Sequence, residues 1–140
     1  MPILELGDPR SFGIRIVALR LPLPPSKNKR RHFIRVKGRL VLAVSDEVKR
    51  YRERVAEYVL EQGARDAFLG YERPIRVRCF WVLPSRRFDA INFHDELADA
   101  IAPALGINDR HFRFVDEAVF VDANNPGVWL ILEAVPDGQP

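Results

Sequence analysis

The sequence has little of several features that would assign it to a familiar class. Its one cysteine, Cys79, excludes an intrachain disulfide and a zinc site built from cysteines, so a reducing cytoplasm is the expected compartment. The first twenty residues are interrupted by charges, so neither a signal peptide nor a membrane span is expected. The chain also lacks a glycine-rich phosphate loop, a Ser/His/Asp motif and internal repeats.

Length and composition predict one globular domain. The chain has 140 residues, of which 47% are hydrophobic and 29% charged, which is enough apolar material for a real core. A single domain over residues 1–140 is expected, with residues 1–12 and 136–140 as flexible tails.

Positive charge is scarce in the second part of the chain. Residues 1–88 contain 20 lysines and arginines against 9 acids, a balance of +11, whereas residues 89–140 contain 2 against 10, a balance of −8. A basic half suits a polyanion, and an acidic half is better placed to hold cations. The alternative is a protein-interaction domain whose dipolar charge only steers its partners.

Hydrophobic periodicity predicts the order β, hairpin, α, β, α, β, β. This order indicates an α+β fold of two layers, with a mixed or antiparallel sheet of four to six strands and two main helices. The predicted elements are a strand over 14–21, a hairpin of 32–36 and 39–44, a helix from the N-cap Ser45 to about Gly63, a strand over 74–83, a helix over 93–104, and strands over 118–121 and 128–135.

A group of acids begins where the fourth predicted strand passes into the second helix. Asp89 lies in that connection, and Asp95 and Asp99 share a helix face by their spacing. Asp109 follows the helix, so an antiparallel return is expected to bring it back towards Asp89. Carboxylates of this kind suit Mg²⁺, with Mn²⁺ as the other candidate. Alternatively, Asn92 and Asp95 only cap the helix.

Basic residues are concentrated on a loop stiffened by Pro24 and Pro25 and again beside the acids. Such residues can contact several phosphates of a nucleic acid, although a charge run can also be a solvated face. The candidate DNA-binding residues are Lys27, Asn28, Lys29, Arg30, Arg31, Arg86 and Arg87.

Four other polar residues lie near the acids. His94 and His111 are each either a metal ligand or proton shuttle, or a surface imidazole. Asp116 and Glu117 are expected to cap a strand at the surface.

The order of these motifs resembles the RusA family of Holliday junction resolvases. Residues 21–28, LPLPPSKN, are similar to the family's Pro-Pro-Ser-x-Asn motif, and residues 87–92, RFDAIN, to its Arg-x-Asp-x-Asp-Asn. Residues 99–101 resemble the Asp-Ala-Leu helix, and residues 108–109 the paired acids after it. The resemblance spans about residues 14–135.

The resemblance implies a homodimeric, Mg²⁺-dependent endonuclease that cuts four-way DNA junctions, a type of protein common in prophages. The family's site has three acids and a lysine. Asp89 falls on the first acid and Asp109 on the third, but Ile91 stands at the second acid and Asp95 at the lysine.

Two hypotheses follow from these departures. In the first, Asp95 supplies the third carboxylate, and Asp89, Asp95 and Asp109 are catalytic metal ligands of a junction-resolving nuclease. In the second, the chain binds branched DNA without cleaving it, because isoleucine cannot ligate a hard cation.

Overall fold

The computed structural model describes residues 15–25 and 31–135, with the side chains of 31–34 and 41–44 excepted. Both predicted tails, 1–12 and 136–140, lie outside the described residues. The elements in order are β1 (Ile16–Leu21), β2 (Arg31–Val36), β3 (Arg39–Val44), α1 (Asp46–Glu61), α2 (Ala64–Phe68), β4 (Ile75–Leu83), α3 (His94–Leu105), β5 (Phe112–Val121) and β6 (Gly127–Ala134).

Four of the strands form one mixed sheet in the order β1-β6-β4-β5. β6 is antiparallel to both β1 and β4, whereas β4 and β5 are parallel and are joined by the crossover through α3. β1, β4 and β5 therefore all point the same way. Their last residues lie at one edge of the sheet and their first residues at the other.

Local sequence explains both ends of α1. The Ser45 hydroxyl accepts a hydrogen bond from the Val48 amide at 3.3 Å, and Asp46 and Glu47 lie in the first turn, where the helix dipole favours negative charge. Gly63 follows the helix with φ of 72°, the left-handed conformation that glycine adopts without strain.

One face of the sheet packs against the helices. Alternate residues of β4 point into this layer and are buried, among them Val77, Cys79 and Trp81. The helices contribute residues such as Val55 of α1 and Leu97 of α3. This single core extends across all four strands of the sheet.

An ion pair joins the two main helices. Glu96 is fully buried, and both of its carboxylate oxygens accept hydrogen bonds from the Arg52 guanidinium at 3.0 Å. Arg52 also lies 3.7 Å from Asp99. The bidentate contact fixes α1 beside α3, because a buried carboxylate requires its partner.

β2 and β3 form a separate two-stranded sheet. Their register pairs Arg31 with Val44 at the base and Val36 with Arg39 beside the turn. Lys37 and Gly38 have φ of 49° and 79°, and positive values at both central residues are typical of the type I′ turn. We call residues 31–44 the ribbon.

The α+β class, the mixed sheet and the two main helices are confirmed. Two local predictions were wrong: β5 begins at Phe112 rather than at residue 118, and a short α2 follows α1. The second main helix lies one residue later than predicted and begins at His94, after a 3₁₀ turn over Ala90–Phe93. Asn92 therefore lies inside that turn and does not cap α3. Within the described ranges, no helix is long and apolar enough to cross a membrane.

Candidate nucleic-acid interface

The strand directions bring the proline segment at 22–25 and the arginines at 86 and 87 to one edge of the sheet. We call this edge the carboxyl end; it consists of residues 22–25 after β1, residues 84–93 after β4 and Asp122 after β5. The register places Leu21 opposite Val128, and Val128 opposite Trp81, so β1 and β4 finish side by side with β6 between them. The proline segment that leads into the basic loop therefore lies at the same end as Arg86 and Arg87.

Arg86 and Arg87 lie in the turn that follows β4, and both are exposed. The turn is held by its own backbone: the Ser85 hydroxyl accepts from the Arg87 amide at 3.3 Å, and the Ser85 carbonyl accepts from the Phe88 amide at 3.4 Å. Local hydrogen bonds thus hold the backbone while the guanidinium groups project into solvent, where a phosphate backbone can reach them.

A second pair of arginines faces the proline segment from α1. Arg50 and Arg54 are exposed and lie one helical turn apart. They line a cavity of about 330 Å³ together with residues 22–25, Tyr51 and the acid Glu47. The Tyr51 hydroxyl donates to the Pro22 carbonyl at 2.8 Å and holds the two elements together. Sequence reasoning missed these arginines, although their i, i+4 spacing marks a common helix face.

Five predicted DNA-binding residues cannot be placed as side chains. Lys27, Asn28, Lys29 and Arg30 lie outside the described residues, and Arg31 is described only as the first backbone position of β2.

The predicted acids do not converge. Asp89 and Asp95 are exposed near the start of α3, with Asp89 preceding the 3₁₀ turn and making no side-chain cap. Asp109 lies beyond the other end of α3. The expected return towards Asp89 was wrong, because β5 is parallel to β4 and α3 must carry the chain back to the edge where both strands begin. The twelve residues of α3 separate the two acids by about 18 Å, at 1.5 Å of rise per residue.

We call the edge at which β1, β4 and β5 begin the amino end; it consists of Arg15, Pro74 and residues 106–111.

In the described part of the chain, no group of three or more histidine, cysteine, aspartate or glutamate side chains is arranged to hold a metal ion. Asp89, Asp95 and Asp109 therefore do not fit a three-acid Mg²⁺ site within one chain. Ile91, which the resemblance aligned with the second acid of the RusA site, is 65% exposed, and its apolar side chain supplies no ligand.

A polar contact that the sequence did not reveal lies beside Asp95. Asp116 was expected to cap a strand, but it lies inside β5, where the register shifts between Cys79 and Phe80. Asp116 pairs with the buried Cys79 and follows Phe114 by two residues on the same face of β5. Its carboxylate therefore points to the helix layer, where Oδ1 accepts from Trp81 Nε1 at 2.7 Å and lies 2.9 Å from His94 Nε2. Its neighbour Glu117 instead accepts from Arg78 at 2.9 Å.

The imidazole of His94 is enclosed rather than free at the surface. Its ring stacks on Phe114 with centroids 5.2 Å apart and on Trp81 at 5.9 Å. Together with the Asp116 contact, this stacking fixes the first residue of α3 and hence the connection that carries Arg86, Arg87 and Asp89. His111 lies at the amino end and takes no part.

Comparisons with known proteins add little. No family model matches the chain, and no curated protein matches it. Among solved structures, 2C-methyl-D-erythritol 2,4-cyclodiphosphate synthase from Plasmodium vivax is similar at 15% identity and a TM-score of 0.33, covering 87% of this chain and 96% of that one. A similarity at this level carries no argument about fold family or activity.

Proposed function

We propose that the chain is a DNA-binding domain that resembles the RusA resolvases and binds branched DNA, a four-way junction above all, at the carboxyl end of its sheet. The observation that carries the proposal is the grouping of Arg50, Arg54, Arg86 and Arg87 at one end, next to the start of the basic loop. The motifs at 21–28 and 87–92 supply the junction as the expected substrate.

The physical case rests on charge and access. Arginine forms bidentate hydrogen bonds to phosphate and keeps its charge at every physiological pH. All four side chains are exposed, so they can meet a phosphate backbone without rearrangement of the core. Binding through them releases counterions and must therefore weaken steeply as salt is added.

The test measures junction affinity against salt concentration. Fluorescence anisotropy with a labelled four-way junction compares the native chain with Arg86→Gln/Arg87→Gln. The matched control is Arg65→Gln/Arg110→Gln, which removes the same charge from exposed residues away from the carboxyl end. Loss of two phosphate contacts should lower the slope of log K against log salt by about 1.8, and the control should leave it unchanged. Equal effects of both variants, or no junction binding by the native chain, would overturn the proposal.

A second candidate function is Mg²⁺-dependent cleavage of the same junction by a homodimer. It is favoured by the position of Asp89 and Asp95 at the carboxyl end beside the phosphate-binding arginines. Mg²⁺ is often held by one or two carboxylates together with substrate phosphates. A gel assay with Mg²⁺ or Mn²⁺ decides it: cleavage that Asp89→Asn abolishes supports the nuclease, and binding without cleavage leaves the binding domain.

A further inference from the structure

The ribbon does not belong to the four-stranded sheet that carries the hydrophobic core. It forms a sheet of its own, and its main packing is between its own two strands. A two-stranded hairpin by itself is only marginally stable in water, so a partner that covers the ribbon would stabilise it.

The charge of the surrounding sequence selects the kind of partner. Residues 11–45 contain no aspartate or glutamate but nine lysines and arginines: Arg15, Arg20, Lys27, Lys29, Arg30, Arg31, Arg35, Lys37 and Arg39. A run of one sign over this length repels a basic surface and attracts a polyanion.

The register distributes the charges at the tip over both faces of the ribbon. Arg35 pairs with Leu40 and Val36 pairs with Arg39, and cross-strand partners share a face. Arg35 and Arg39 therefore point to opposite faces, while Lys37 lies in the turn between them. All residues from 35 to 40 are exposed. The tip presents one guanidinium to each side and one ammonium at its end.

This arrangement fits a groove of duplex DNA. A two-stranded ribbon is about 5 Å between strand axes and enters a major groove that is about 12 Å wide. Each face of an inserted ribbon then meets one of the two phosphate backbones that border the groove. Val36 and Leu40, 44% and 64% exposed, share these faces with Arg39 and Arg35 and would pack against the sugars of the same backbones.

The position of the ribbon agrees with this use. Its first strand follows the proline segment of the carboxyl end, and its second strand ends at Ser45, the N-cap of α1, which carries Arg50 and Arg54. DNA bound by the arginines of the carboxyl end therefore lies close to the base of the ribbon.

We infer that the ribbon is an arm that inserts its tip into the major groove of a duplex arm of the bound DNA, with Arg35 and Arg39 on the two flanking backbones. The inference rests on the proposed function, because it assumes that DNA lies at the carboxyl end. It adds a second contact region, separate from the arginines of the carboxyl end. It also requires that the DNA at this region is double-stranded.

The first test neutralises the tip in the full-length chain. Arg35→Gln/Arg39→Gln is compared with the control Arg65→Gln/Arg110→Gln on a labelled four-way junction and on a single strand. The tip variant should lower the salt slope by about 1.8 on the junction and leave single-strand binding unchanged. Circular dichroism checks that each variant keeps the fold.

The second test locates the tip directly. Cys79 is the chain's only cysteine and is fully buried, so a Leu40→Cys variant can be labelled at the tip with a thiol-reactive iron-EDTA reagent. The wild-type chain, treated identically, is the control. Cleavage should fall on both strands bordering one major groove of a junction arm.

The outcomes separate the two proposals. If the native chain binds the junction but the tip variant binds equally well and the labelled tip cuts nothing, the arm is overturned and the proposed function stands. If the native chain does not bind the junction, both fall. If the tip variant changes the sedimentation coefficient of the free protein without changing DNA binding, the ribbon joins two copies of the chain and the arm is again overturned.

Discussion

The two ends of the sheet differ in the charges that they present. The carboxyl end holds the exposed arginines Arg50, Arg54, Arg86 and Arg87, and Asp89 lies in the same connection as Arg86 and Arg87. The amino end holds Asp109, together with Arg110 and His111 in one short 3₁₀ turn. The same α3 that begins among the arginines ends at this second turn. Asp89 and Asp109 are close in sequence, but α3 lies between them because it connects two parallel strands, β4 and β5. Acids near one another in a sequence can therefore lie at opposite ends of a sheet.

The largest effect, on the free energy of unfolding, is expected at the ion pair that joins the amino-terminal halves of α1 and α3. Arg52→Met leaves the buried Glu96 carboxylate without its bidentate partner and should lower the free energy of unfolding by about 3 kcal/mol. Urea denaturation measures the change, and Arg50→Met, an exposed neighbour on α1, should stay within about 0.5 kcal/mol.

The double variant Arg52→Met/Glu96→Leu sharpens this prediction. Removing both charges should restore most of the lost stability, because an apolar pair of similar volume avoids the desolvation cost. If Arg52→Met unfolds like the native chain, Glu96 is sustained by other contacts, and α1 and α3 are not fixed by this pair.

Alkaline pH is expected to have an intermediate effect on the free energy of unfolding. Burial, and then the charge of Glu96, raises the pKa of Tyr51 above its ordinary 10.0, while Arg54 lowers it by less. Burial, and then Asp116, raises the pKa of Cys79 above 9.0. A pKa that is raised in the folded state contributes stability below the unfolded value, and this stability is lost as pH rises.

The free energy of unfolding should therefore fall above about pH 9 for Cys79 and above about pH 10 for Tyr51, by up to about 1.4 kcal/mol per pH unit for each group. Denaturant titrations from pH 8 to pH 11 measure it. Tyr51→Phe should remove the steeper part above pH 10, and an unchanged slope in that variant would contradict the role of the Tyr51 hydroxyl at the carboxyl end.

Most of the fold was predictable because it depends on local pattern. Alternation gave β4, the spacing of apolar residues gave α1, and the Lys37-Gly38 pair gave the ribbon. The end of β5 that carries Asp116 was missed because two adjacent acids read as a strand terminus. Because both lie inside β5, alternation along the strand turns Asp116 towards Trp81 and Glu117 towards Arg78.

The site was predictable only in part, because some of its residues are placed by contacts between distant segments of the chain. Arg86, Arg87 and Asp89 are adjacent in sequence and stay together in space. The position of Asp109 depends on whether β5 runs parallel or antiparallel to β4, which local pattern does not determine. Arg50 and Arg54 were missed because their role comes from packing against Pro22–Pro25, a contact between distant segments.

The smallest expected effect is a change in junction affinity, and it tests directly whether the two ends of the sheet differ in DNA binding. Asp89→Asn removes a negative charge beside the arginines proposed to bind phosphate. It should tighten junction binding about twofold at low salt, since the Asp89 carboxylate and DNA phosphates repel each other within a Debye length of about 10 Å. Asp109→Asn should leave affinity unchanged, because about 18 Å of α3 separates Asp109 from that surface. Anisotropy titrations at two salt concentrations measure both, and the Asp89 effect should shrink at the higher one.

Equal tightening by both variants would mean that DNA reaches the amino end as well, and the division of the sheet into a binding end and a remote end would be wrong. The same pair of variants applies to Mg²⁺-dependent cleavage. Loss of cleavage in Asp89→Asn alone would assign the reaction to the carboxyl end of one chain. Loss in both would require Asp109 to come from a second copy, because within one chain α3 holds the two acids apart.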